Sequence, residues 1–163
     1  MVLQLLKVLP ELENVETLEI PTDHIWCLDI ELLGTGDLRE SVVLSRNEMV
    51  EVPSSRGTAN LILKVDNNQY ATISIIDDPN KVKTSISSED SESGRYVGVV
   101  AFDCRGCLVK SWRPTGFYTV RTPNGTEFTE VDLQSGEWYD VDPSTNQPVS
   151  IMSVKYEIEQ FRK

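Results

Sequence analysis

Short segments in which apolar and polar residues alternate with a period of two, cut by turn residues, constrain this chain most. In residues 25–32 (IWCLDIEL), Trp26, Leu28, Ile30 and Leu32 fall on one side. Residues 61–65, 72–76 and 96–102 are β-branched or aromatic runs between turn residues, and 42–44 is a shorter one. Residues 149–161 place Val149, Ile151, Val154, Tyr156 and Ile158 on one face. Asn124-Gly125 has the spelling of a tight hairpin turn. Only residues 9–18 offer a helical spacing, which Pro10 and Asn14 weaken. The pattern predicts an all-β, mostly antiparallel protein with few or no long helices.

Residues 77–94 break the pattern. They are rich in Ser and acids, with little to bury, and read as a linker or loop. On that reading the chain divides into a β half at 1–76, a linker at 77–95 and a second β half at 96–163. Residues 57–64 can be laid on residues 148–155, and at the same offset Trp26 falls on Phe117. This suggests a duplicated β unit, two similar halves about a pseudo-twofold axis.

The net charge of −11 bears on partners. A polyanion repels phosphate backbones and anionic membrane surfaces, and no basic stripe offsets it, so neither nucleic acid nor membrane is expected. The apolar N-terminus lacks the basic start of a signal peptide, and no run approaches about 18 apolar residues, so no span is expected. Cys27, Cys104 and Cys107 make no even disulfide framework, which fits a reducing compartment.

Few residues spell chemistry. Cys104-Arg-Gly-Cys107 could supply half a zinc site or a redox dithiol, but a closed zinc site needs two more ligands. Cys27 and His24 are what remains, three apart on a strand and so on opposite faces. Buried structural cysteines are the simpler reading. His24 has no nucleophile context around it, and phosphate-binding glycine loops are absent. No enzymatic activity and no cofactor are expected. In residues 125–142, Trp138 lies among Glu137, Asp140 and Asp142. It either plugs the core or anchors a basic partner, with Trp138, Asp140 and Asp142 as contacts.

Several stretches together resemble the eukaryotic CXXC-motif-containing zinc-binding protein family. They are Phe102-Asp-Cys-Arg-Gly106, Arg113-Pro-Thr-Gly-Phe117, Gly125-Thr-Glu-Phe128, Val131-Asp-Leu133, Glu137-Trp138 with Asp140 and Asp142, and Val149-Ser-Ile151. Leu3-Gln-Leu, Leu12-Glu-Asn14, Trp26, Arg56-Gly57 and Glu89-Asp-Ser91 extend the likeness over the chain. The resemblance implies a duplicated β fold, a cytoplasmic and also nuclear location, no established activity, and zinc held by two CxxC pairs. Those four positions fall on Leu32, Thr35, Val65 and Asn68, none of which is a thiol. A zinc-free member is therefore expected, with apolar packing in place of the metal. Asp37, Asp66, Asn67 and Asn68 are an alternative hard-cation set. The function implied is a protein-binding module, and the alternative is a metal- or redox-linked protein using Cys104 and Cys107.

Overall fold

The computed structural model describes residues 1–53, 55–66 and 69–162. In chain order its first strands are β1 (Val2–Glu13), β2 (Thr17–Glu19), β3 (Trp26–Leu32), β4 (Leu38–Leu44), β5 (Val50–Glu51), β6 (Thr58–Ala59), β7 (Leu61–Asp66) and β8 (Gln69–Ile76). Next come β9 (Ser85–Ser87) and one short helix, α1 (Ser88–Glu92). The chain continues through β10 (Val97–Arg105), β11 (Cys107–Arg113), β12 (Phe117–Arg121), β13 (Glu127–Asp132), β14 (Trp138–Asp142) and β15 (Gln147–Phe161). Every ladder among the described residues is antiparallel, as the alternation predicts.

The largest sheet runs β14-β15-β1-β10-β8-β7. Two smaller ones, β11-β3-β4 and β13-β12-β2-β9, supply the facing layers, and β5-β6 is a short ribbon. One core lies between them. Leu6 and Val8 of β1, Phe102 of β10, Ile73 of β8 and Ile151 of β15 share it with Trp26, Leu28, Ile30, Trp112, Tyr118 and Val120 of the smaller sheets. Gln4 places a polar side chain on the core face of β1, 4 % exposed. Its side-chain amide accepts from Val109 N–H (2.8 Å) and donates to the Val109 carbonyl (3.0 Å), so it acts as a one-residue strand partner for β11. These two hydrogen bonds offset the cost of taking the amide out of water.

Two expectations need correction. Residues 9–18 form no helix, because they supply the end of β1 and the start of β2. Residues 77–95 are stitched into the molecule rather than strung between two parts. Lys83 N–H donates to the Gly98 carbonyl (2.8 Å) and Ile20 N–H to the Thr84 carbonyl (2.8 Å). β9 pairs with β2 and buries Ile86 completely. Ser87 and Asp90 form a capping box for α1, and Ser91 Oγ donates to the Pro10 carbonyl (2.7 Å). Polar ties hold a segment that has almost no apolar side chains to bury. The two sides of this segment also interleave, since β1 lies between β15 and β10.

Candidate functional site

The corner where the family resemblance places zinc is formed by the β3–β4 hairpin and β7. Leu32 ends β3 fully buried, directly across the ladder from Cys107. The chain then turns through Gly34, Thr35 and Gly36. Leu32 N–H donates to the Asp37 carbonyl (2.8 Å) and Gly36 N–H to the Leu32 carbonyl (2.7 Å). Gly36 has φ +76°, the left-handed conformation such a turn requires. Val65 lies against this hairpin: a side chain at Gly34 would meet Val65 Cγ1 at 3.6 Å. Arg39 fastens the same corner by donating to the Lys64 carbonyl at 3.2 Å.

These side chains do not fit a zinc ion. Leu32 and Val65 offer hydrocarbon, and the Thr35 hydroxyl accepts from Asp37 N–H (3.2 Å). Asn68, the fourth position, lies outside the described residues, as does Asn67 of the alternative hard-cation set. Among the described residues no three His, Cys, Asp or Glu side chains converge as metal ligands.

Cys104 and Cys107 flank a corner at which Gly106 (φ +74°) carries the chain from the large sheet into β11. Both are free thiols, 1 % and 0 % exposed. Cys104 Sγ donates to Gln4 Oε1 (3.4 Å) and Cys107 Sγ to the Thr72 carbonyl (3.6 Å). The adjacent Cys107 thiol and burial together push Cys104 well above the ordinary thiol range. His24 is also enclosed, edge-on to Trp26 and 3.3 Å from Tyr118 Oη. Burial lowers its pKa to about 4 against the opposing pull of Asp23, so the ring is neutral at pH 7.

The structure separates the three residues expected to contact a partner. Trp138 is half-buried and packs edge-on against Phe128 of β13, joining two sheets. Asp142 is 2 % exposed, which corrects its place on an acidic rim. Its carboxylate accepts from Thr126 Oγ1 (2.7 Å), Ser144 N–H (2.9 Å) and Ser144 Oγ (2.8 Å), holding the β12–β13 turn to the β14–β15 turn. Those bonds, Thr126 first, keep its carboxyl at about 2. Only Asp140 stands on the surface.

Tyr139, which the sequence did not single out as a contact, is 61 % exposed, and Val141 is 49 % exposed. Tyr139 Oη donates to Glu137 Oε2 (3.2 Å), and Glu137, Glu11 and Glu13 together raise its pKa. Among the described residues none of Glu11, Glu13, Glu137 and Asp140 is in an ion pair. Alternation across a strand was the available signal, since a half-buried Trp138 sends Tyr139 to the other face.

A further polar group went unread in the sequence. Asp29 of β3 accepts from Arg113 Nε (3.1 Å) and Nη2 (3.2 Å), from Ser111 Oγ, and from the N–H of Ser41 (2.9 Å). Ser41 has φ +55°, so Asp29 stabilises a strained bulge in β4. The group edges a cleft of about 570 Å³ over Cys27. Its charges are mutually satisfied, which marks it as a brace.

Comparison with known proteins bears on this arrangement. A family model described as "CXXC motif containing zinc binding protein, eukaryotic" matches residues 5–159. A UPF0587 protein of Dictyostelium discoideum is 26% identical, covering 99% of this chain and 100% of its own length. A UPF0587 protein of Caenorhabditis elegans is 32% identical over 142 residues, covering 84% of this chain and 81% of its own. A Rattus norvegicus protein named CXXC motif containing zinc binding protein is 28% identical, covering 90% and 91%. Two solved structures share the fold. They are a hypothetical protein from Plasmodium falciparum (TM-score 0.86, 24% identity, 98% of this chain and 100% of that one) and C1orf123 (TM-score 0.84, 22% identity, 98% and 99%).

Proposed function

Because this chain belongs to the eukaryotic CXXC motif containing zinc binding protein family, we propose that it is a zinc-free member that acts by binding another protein, without catalysis. The observation that carries this reading is the outer surface of β14. There an aromatic side chain 61 % exposed stands among three carboxylates, Glu11, Glu13 and Glu137, that no basic side chain pairs with among the described residues. The groups that could do chemistry support it from the other side: His24, Cys104 and Cys107 are enclosed, and the Asp29 carboxylate is fully engaged. Three free thiols suit a reducing compartment, so the partner is to be sought in the cytoplasm and nucleus.

Tyr139→Lys is a cleaner probe than Trp138→Ala, because Trp138 packs on Phe128 and its loss would disturb two sheets. The chain and its Tyr139→Lys variant serve as bait in extract of the source cells, with thermal melts confirming equal folding. The expected result is a partner held by the first and lost by the second. An identical set of bound proteins on both baits would sink the reading.

The duplicated-unit reading also finds support. The order β14-β15-β1-β10-β8-β7 is unchanged when β1 exchanges with β10, β15 with β8 and β14 with β7. The same exchange carries β11-β3-β4 onto β2-β12-β13, in which Trp26 and Phe117 are each the first residue of the corresponding strand. It pairs β7 with β14, so the match of residues 57–64 to 148–155 is not the one the topology favours. Under this exchange the Asp142 knot stands where the other half has the Leu32–Val65 corner.

A further inference from the structure

We infer that the free edge of β14 accepts an extended basic peptide as a seventh strand of the large sheet, which rests on the binding surface proposed above and names its partner's chemistry. The argument begins with Pro148. In the β14–β15 ladder Val141 lies opposite Pro148. Proline has no N–H to give, and the Pro148 carbonyl points the other way, accepting from Asn14 Nδ2 at 2.7 Å. The pair is therefore the non-hydrogen-bonded kind, in which each residue's N–H and C=O face away from the partner strand. Val141 thus directs its main-chain groups outward from the sheet, and so does Tyr139 two residues earlier.

A side chain rather than a strand meets them. Val141 N–H donates to Asp140 Oδ1 at 2.7 Å. The carboxylate closes the edge against neutral or acidic chains and is drawn off by a cation, which frees the donor. The opposite end of the sheet is different. There the Lys64 carbonyl of β7 already receives Arg39, and Leu61, Ile62, Leu63 and Val65 are half-buried. Among the described residues β14 is thus the more open end for strand addition, and the field there is negative: Glu11, Glu13 and Glu137 surround Tyr139. A lysine or arginine at alternate positions of an added strand would meet these carboxylates on the Tyr139 and Val141 face, and aliphatic side chains between them would lie on the opposite face beside half-buried Trp138.

The test is titration of the full chain with a fluorescent peptide alternating lysine and valine, beside the same peptide with a central proline and one with glutamate for lysine. Saturable binding of the lysine peptide is expected, weakened about tenfold by the central proline, by Tyr139→Lys and by a rise from low to high salt. The amide protons of Tyr139 and Val141 should gain protection from exchange in the complex. No binding overturns the inference. Equal binding of the proline peptide, or an unprotected Val141 amide, overturns it also, by leaving only charge attraction. If the peptide fails while Tyr139→Lys still strips a partner from the bait, the basic-strand inference falls and the binding function stands. If neither changes, both fall.

Discussion

His24 shows how one enclosed side chain sets a pH response. Its ring is edge-on to Trp26 and beside Tyr118, and burial lowers its pKa from 6.5 to about 4. Between those values the unfolded chain takes up a proton that the folded one refuses, so stability is complete above pH 6.5 and drains as pH falls towards 4. Linkage puts the loss at up to roughly 3 kcal/mol. Asp142, whose carboxyl is held at about 2, contributes stability above its ordinary 3.8 and loses it only below, so the windows separate. Urea titrations from pH 7 to 4 should show this slope, and His24→Gln should flatten it. An unchanged slope in the variant would rule His24 out as its source. None of this was legible locally. Tyr118, which helps enclose the imidazole, is 94 residues away, whereas the burial of Cys104 and Cys107 was expected from the lack of two further ligands to complete a metal site.

Among elements, strands with clean alternation or with β-branched and aromatic runs between turns were readable, and β1 was not. β3 and β15 stand close to where the period-two pattern put them, and β8 and β10 close to the β-branched and aromatic runs at 72–76 and 96–102. β1 did not reveal itself, because Gln4 faces the core where an apolar residue belongs, and Leu3 and Leu5 are buried on the opposite face. Residues 77–84 lie over part of that face. Their fit depends on Gly98, where a Cβ would overlap the Lys81 carbonyl oxygen and press on Leu5 at 3.0 Å. Backbone cannot swing aside as a side chain can. Gly98→Ala should cost about 1–3 kcal/mol and raise the exchange rate of the Lys83 amide, which donates to the Gly98 carbonyl. Wild-type stability and exchange in that variant would mean the segment docks more loosely than the contact implies.

For the whole molecule, periodicity tells which face of a strand is buried but not which strand lies beside it. The sheet order therefore could not be read, although the loss of the metal ligands could, because thiolate chemistry either is or is not spelled at Leu32, Thr35 and Val65. With Leu32 fully buried and Val65 packed on the hairpin, chelation should leave the melting temperature where it was. A fall on adding EDTA, or one zinc per chain by elemental analysis, would show that a cation holds the corner after all.

The pairing of β1 with β15, from Leu3 opposite Phe161 to Glu13 opposite Ser150, joins segments far apart in the chain, Lys7 and Glu159 being 152 residues from each other. On the ribosome, β1 emerges with both of its sheet neighbours, β10 and β15, still unmade. A product cut short before residues 147–161 leaves β1 with a bare edge and the core open on that side. The topology thus makes closure of the core conditional on β15: a copy that lacks it would offer the β1 edge to proteases and to other chains.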